Sequence, residues 1–293
     1  NVSTKHQAPT SMQAGTTTPV ADKVTASNNG GNGGYAEDLN AKVTMHWDGF
    51  PVANPPISQK SVTKSFTMTS KGDTVTPEFT PADFGWSVWP AGQFWFGVSV
   101  DKQKNMAVAY NSPDRDTGEV FDLGAKPSAK ILTNFENKPL TQEQVEAASM
   151  PFWAKISAMG NGATQLTLTD YVASTDVTVG DNNKVTPETI FVNGPDGKKV
   201  DAKITVTQGK VKDKTGKQVN GIIVKAVVGQ STSSTPKLQV GKYTLNVLTT
   251  PKATGSDFDI WDYPESCWLS PNATEICLDG DGKETSKETP NPD

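Results

Sequence analysis

Histidine and cysteine are almost missing from this chain of 293 residues, which holds two of each. His6 and His46 stand far apart, and no His-Glu-x-x-His or Cys/His ligand spacing occurs, so the usual zinc signatures are excluded. Gly-x-Ser-x-Gly elbows and glycine-rich phosphate loops are missing too, which removes the common hydrolase and nucleotide-binding readings. Only a carboxylate-pair hydrolase survives as an enzyme class, because paired acids leave little trace in sequence. No run approaches the ~18–20 apolar residues that cross a bilayer, so no membrane insertion is expected. With a formal charge of −5 and no basic stripe, nucleic acid is not an expected partner. The opening residues, Asn1-Val2-Ser3-Thr4, are polar and do not form a signal peptide. A Leu-Pro-x-Thr-Gly sorting signal is also missing. The expectation is a mature segment of a longer protein, with further domains and any anchor beyond Asp293. No cofactor and no metal are expected, and Asp279-Gly-Asp-Gly reads as a solvated turn.

What is present is β-strand text. Ala41-Lys42-Val43-Thr44-Met45-His46-Trp47 alternates, as do Ala202–Thr207 and Lys242–Leu248. A period of two sends one set of side chains to a core and the other to water. Turn residues punctuate these runs, Asn193-Gly-Pro-Asp-Gly197 most strongly. The length suits two sandwiches better than one. The expected fold class is all-β: two tandem Ig-like β-sandwich domains with flexible N- and C-terminal linkers. The boundaries are 1–19 for a disordered arm, 20–125 for the first module, 126–278 for the second, and 279–293 for a Pro-rich linker. One short helix is expected at Thr141–Ala148, where a Thr cap precedes good helix formers.

Cys267 and Cys277 sit close enough for a single turn between adjacent strands, so they read as a disulfide or as two buried thiols. The aromatic block Phe84, Trp86, Trp89, Phe94, Trp95 and Phe96 reads mostly as core, since Phe94 and Phe96 share a strand face. Trp89 and Trp95 are the candidates for an exposed, sugar-stacking surface.

A series of segments in the second module carries a resemblance. It comprises Phe152-Trp-Ala-Lys-Ile, Leu166-Thr-Leu-Thr-Asp170-Tyr-Val, Ile190-Phe-Val-Asn-Gly-Pro-Asp-Gly, Gly241-Lys-Tyr-Thr-Leu-Asn-Val-Leu and Ser256-Asp-Phe-Asp-Ile-Trp-Asp262. In this order they resemble the isopeptide-forming Ig-like domains of Gram-positive surface adhesins, including antigen I/II C-terminal domains and fimbrial proteins. The first module more loosely resembles accessory sandwiches of actinobacterial wall-anchored proteins, through Val20-Ala-Asp-Lys-Val24, Thr80-Pro-Ala-Asp-Phe-Gly-Trp86 and Ser112-Pro-Asp-Arg-Asp116.

The resemblance implies a bond between a first-strand Lys and a last-strand Asn or Asp, assisted by a middle-strand acid. By position these are Lys130, Asp262 and Asp170; many relatives carry Asn where this chain has Asp262. Burial favours the neutral forms of amines and acids alike, which is the physical basis of such chemistry. Lys126 and Lys155 are alternative amines, and Lys23 with Glu119 is a weaker pair in the first module. Cys267-Trp268 and Thr141-Gln142 also resemble thioester-adhesin motifs, but in reversed order. The implied function is a non-catalytic, extracellular, cell wall-associated adhesin or pilus-like stalk, with a host-surface protein or glycan as partner. The alternative is a carbohydrate-binding or accessory module of a secreted glycosidase.

Overall fold

The computed structural model describes residues 2–7, 12–26, 38–51, 58–69, 71–103, 108–230, 237–253, 258–271 and 273–285. The described residues are nearly all strand and turn, with a single α-helix. The protein is therefore all-β, built from antiparallel sheets. No helix among the described residues is long and apolar enough to cross a membrane. The chain divides into two compact units, Asn1–Ala125 and Lys126–Asp293.

The first unit contains β1 (Val2–Gln7), β2 (Ala21–Ala26), β3 (Leu39–Trp47), β4 (Lys60–Met68), β5 (Gly72–Val75), β6 (Gly92–Val100), β7 (Tyr110–Asn111) and β8 (Val120–Leu123). One sheet has the order β1-β2-β5; the other runs β4-β3-β6-β7, with β8 also on β6. Alternation sorts the side chains: Val43, Met45 and Trp47 are buried, while Lys42, Thr44 and His46 between them are not. Val24, Phe79, Phe94 and Phe96 complete a core closed to solvent.

One expectation is corrected here. Composition predicts a disordered arm over residues 1–19, yet Val2–Gln7 pairs along its whole length with Ala21–Ala26. The polar composition hid a short strand whose backbone bonds cover an otherwise open edge of β2.

The second unit contains β9 (Ala129–Thr133), β10 (Pro139–Leu140), α1 (Gln142–Ala148), β11 (Phe152–Met159), β12 (Gln165–Ala173), β13 (Val177–Val179), β14 (Ile190–Asn193), β15 (Lys199–Val200), β16 (Lys203–Lys212), β17 (Gln218–Gly229), β18 (Lys242–Pro251), β19 (Trp261–Leu269) and β20 (Ile276–Asp279). One sheet is ordered β10-β9-β11-β18-β14-β15, with β13 also on β18; the other is β16-β17-β12-β19-β20. The sheets meet where β11 and β18 contact β12 and where β9 contacts β19. Ile156, Leu245 and Val247 from one and Leu166, Leu168, Val224 and Trp268 from the other are solvent-free, as a sandwich core requires.

Helix α1 starts at a reciprocal cap. Thr141 Oγ1 accepts the Gln144 N–H at 3.2 Å, and Gln144 Oε1 accepts the Thr141 N–H at 2.9 Å. The C-terminal linker expected from residue 279 starts later. Asp279 ends β20, its carboxylate accepts the N–H groups of Asp281 and Lys283 at 2.9 Å each, and Leu278 bridges Glu284. Residues 286–293 of that linker lie outside the described residues.

Candidate functional site

The site forms inside the second unit, where strand register aims three ionisable side chains into one core. Lys130 on β9 pairs with Ile156 of β11, so it shares the inward face with that buried Ile. On the opposite sheet, β12 and β19 pair Asp170 with Pro264 and Val172 with Asp262. Asp170 and Asp262 are thus diagonal neighbours on the inner face. Both are buried, at 0% and 2% exposure, and the Lys130 side chain is 20% exposed.

Lys130 Nζ lies 3.3 Å from Asp262 Oδ1 and donates to the Asp262 backbone carbonyl at 2.7 Å. It also sits 5.5 Å from the Trp261 ring centroid. Asp262 Oδ2 and both Asp170 carboxylate oxygens are buried with no hydrogen-bond partner. Burial pushes Asp170 well above the ordinary carboxylate range, the adjacent Asp262 adds to this, and Lys130 opposes it. Asp262 is also raised by burial, with Lys130 again pulling the other way. Burial and the neighbouring Asp262 thus favour the neutral form of Asp170.

Neighbouring elements fix this end of β19. The Gln142 side-chain amide of α1 donates to the Ile260 carbonyl, and the Ile260 N–H reaches Glu146 Oε1 at 3.4 Å. Gly221 of β17 lies where a Cβ would collide with the Val172 carbonyl. The absence of a side chain therefore lets β17 close on β12 beside the Asp262 pairing position.

Past the trio, Cys267 and Cys277 face each other across β19 and β20 and form a disulfide with a Cα–Cα separation of 4.0 Å. The thiol alternative is thereby closed, and so is the thioester resemblance, which needs a free Cys. Glu265 lies near both sulfurs, but sulfurs bonded to each other are not thiolate ligands.

The other candidates fall elsewhere. Lys126 is exposed. Lys155 points away from the core and donates to Asn137 Oδ1 at 2.7 Å. Lys23 turns outward to Asp73, at 3.2 Å. Glu119 instead hydrogen-bonds the buried Asp22.

Trp89 and Trp95 are corrected as exposed stacking candidates, being 0% and 4% exposed. Trp89 is core, and its indole N–H donates to the Thr18 carbonyl at 2.7 Å. Trp95 does point to the other face of β6, but His46 stacks on it at 3.7 Å and Arg115 covers it at 5.3 Å. Arg115 is held there by a bidentate pair with buried Asp48, at 3.0 and 3.1 Å. Alternation places a side chain on a face, but it does not show what folds over it.

No protein-family model matches the chain. No curated protein matches it. Among solved structures, the full-length major pilin SpaD from Corynebacterium diphtheriae is similar at 14% identity and a TM-score of 0.32. The match covers 86% of this chain, which spans 60% of that pilin's length. A structure described as manganese lipoxygenase of Gaeumannomyces graminis with partial zonadhesin of Komagataella pastoris matches at 11% identity and a TM-score of 0.27. That match covers 95% of this chain and 92% of the other. Likenesses this distant carry no argument about function.

Proposed function

We propose that this chain is a non-catalytic, extracellular segment of a pilus-like stalk or surface adhesin, whose second unit is closed by a Lys130–Asp262 isopeptide bond. The observation that supports this reading is Lys130 Nζ at 3.3 Å from Asp262 Oδ1, beside a buried, unpartnered Asp170. The disulfide is compatible with an oxidising, extracellular setting.

The chemistry balances with the residues present. A proton passes from the Lys130 ammonium to the Asp262 carboxylate, a transfer favoured where charge is poorly solvated. The neutral amine attacks Asp262 Cγ, and protonated Asp170 donates a hydrogen bond that stabilises the developing oxyanion. The C–N bond forms, the C–O bond breaks, and Asp170 relays the amine proton to the departing hydroxyl. One water leaves.

Intact mass of the reduced protein is the test. The wild type is expected one water lighter than its sequence, with a branched peptide joining residues 130 and 262 after proteolysis. Lys130→Ala and Asp170→Ala are each expected at full sequence mass. A wild-type chain at full mass refutes the bond and leaves an ordinary buried ion pair.

A further inference from the structure

The second unit carries an aromatic and basic surface that the crosslink does not use. It is the outer face of the sheet containing β9, β11, β18, β14 and β15. Trp153 and Lys155 alternate outward from β11 between the buried Phe152, Ala154 and Ile156. Phe135 follows β9 and is 59% exposed, and Ile131 on β9 is 49% exposed. Across the strands, Phe135, Trp153 and Phe191 form a row with centroid spacings of 6.3 and 5.7 Å. Successive rings turn by 76° and 71°, so ring faces and edges alternate along the row.

The charge on this face has one sign. Lys155, Lys199 and Lys242 stand on it, and the registered pairs of β9, β11, β18, β14 and β15 place no Asp or Glu there. Lys199 Nζ lies 4.4 Å over the Phe191 ring and donates to the Pro187 carbonyl. Partial burial, then the charge of Lys242, lowers the Lys155 pKa, as expected of cations without a counter-ion. At the flanking turns Glu136 pairs with Lys138 and Asp196 approaches Lys198, and exposed Glu188 follows Pro187. On a chain of net charge −5 this is a local reversal of sign.

We propose that this face binds an acidic glycan, with sugar rings packed against Trp153 and its aromatic neighbours and uronate or sialate carboxylates met by Lys155 and Lys199. The apolar C–H face of a pyranose carries slight positive charge and packs on the electron-rich face of an aromatic ring. The lysines supply the charge-assisted bonds that select an acidic over a neutral sugar. A second copy is a poorer occupant, because a two-fold contact would set the three lysines against their own equivalents. An added peptide strand is also disfavoured, since β11 and β18 are already paired on both sides and offer no free edge.

The test uses the whole chain in calorimetric titration against a hyaluronan hexasaccharide, with the neutral N-acetylglucosamine hexamer as control. The acidic sugar is expected to bind at least about tenfold more tightly than the neutral one, a difference of ~1.4 kcal/mol. Affinity is expected to fall as salt rises. Trp153→Ala should lose at least about tenfold, consistent with an aromatic anchor. The double variant Lys155→Gln with Lys199→Gln should abolish the preference for acid, and melting curves will show that it folds. No binding, equal binding of both sugars, or binding unchanged in Trp153→Ala overturns the proposal. Self-association that disappears in Trp153→Ala also overturns it, by assigning the face to a second copy. Lys130→Ala should bind as the wild type does, so this result is separable from the fate of the isopeptide bond.

Discussion

Asp22 shows how strongly one buried carboxyl can tie the first unit to pH. It is 0% exposed, its Oδ1 accepts the Lys23 N–H at 2.7 Å, and it hydrogen-bonds Glu119, which is also fully buried. Burial raises its pKa from 3.8 to about 6, against the lowering effect of those bonds. The native state therefore holds this proton more tightly than the unfolded chain does. The resulting stabilisation is complete below pH 3.8 and is lost as pH rises through about 6. Chemical denaturation of the first unit should give a higher midpoint near pH 4 than near pH 7, with a contribution of up to ~3 kcal/mol. Asp22→Asn keeps the acceptor for Lys23 and supplies an amide donor to Glu119. It should flatten that dependence and raise stability at pH 7. A midpoint unchanged between pH 4 and 7 in the wild type would contradict this account. Sequence text gave no sign of this pair: Asp22 lies in an alternating strand, and only the folded sheets show what sits opposite it.

At the scale of elements, period-two text located most strands, because alternation survives wherever one face is dry and the other wet. Leu39–Trp47 is strand β3 throughout, and Thr141 caps α1 as its neighbours implied. β19 was harder to see, because Tyr263-Pro264-Glu265 looks like a stop. A proline lacks the N–H that a ladder needs, yet β19 continues to Leu269, and its pairing with β20 begins only at Glu265. The spacing of Cys267 and Cys277 suits a turn between adjacent strands, and the two do lie in register across β19 and β20, where the disulfide supports a strand of only 4 residues. Replacing both with serine should cost ~2–3 kcal/mol, the scale for closing a short loop. Hydrogen exchange should speed up in residues 276–279 while the N–H groups of β12 stay protected. Loss of protection throughout the unit would show that the disulfide holds more than an edge.

For the molecule as a whole, the cluster of Lys130, Asp170 and Asp262 was partly legible because family resemblance supplied an order of strands. Which amine faced inward among Lys126, Lys130 and Lys155 depended on register, which is set by pairing across distant segments. Trp89 and Trp95 fail as exposed stacking candidates for a related reason. An outward-pointing ring reaches solvent only if nothing covers it, and His46 and Arg115 cover Trp95. If the bond between residues 130 and 262 forms, it closes a loop across 132 positions. Loop-closure entropy then predicts a loss of about 5 kcal/mol in Lys130→Ala. Guanidinium titration of reduced wild type and variant will measure it, and matching midpoints would contradict the crosslink.

The position of Asp262 at the head of β19 has a mechanical corollary. If the 130–262 bond forms, tension carried along the backbone would travel from Lys130 directly to Asp262, and the intervening strands would feel little of it. Residues 263–279 lie downstream of that shortcut, held by the β12 and β20 pairings, by the buried Trp268 with its hydrogen bond to the Met159 carbonyl, and by the Lys212 N–H donated to the Tyr263 hydroxyl. A strong pull would strip them first, and the Cys267–Cys277 link would keep the stretch between those residues from paying out. The unit would thus yield by a small, bounded length at one end before any further extension required breaking a covalent bond.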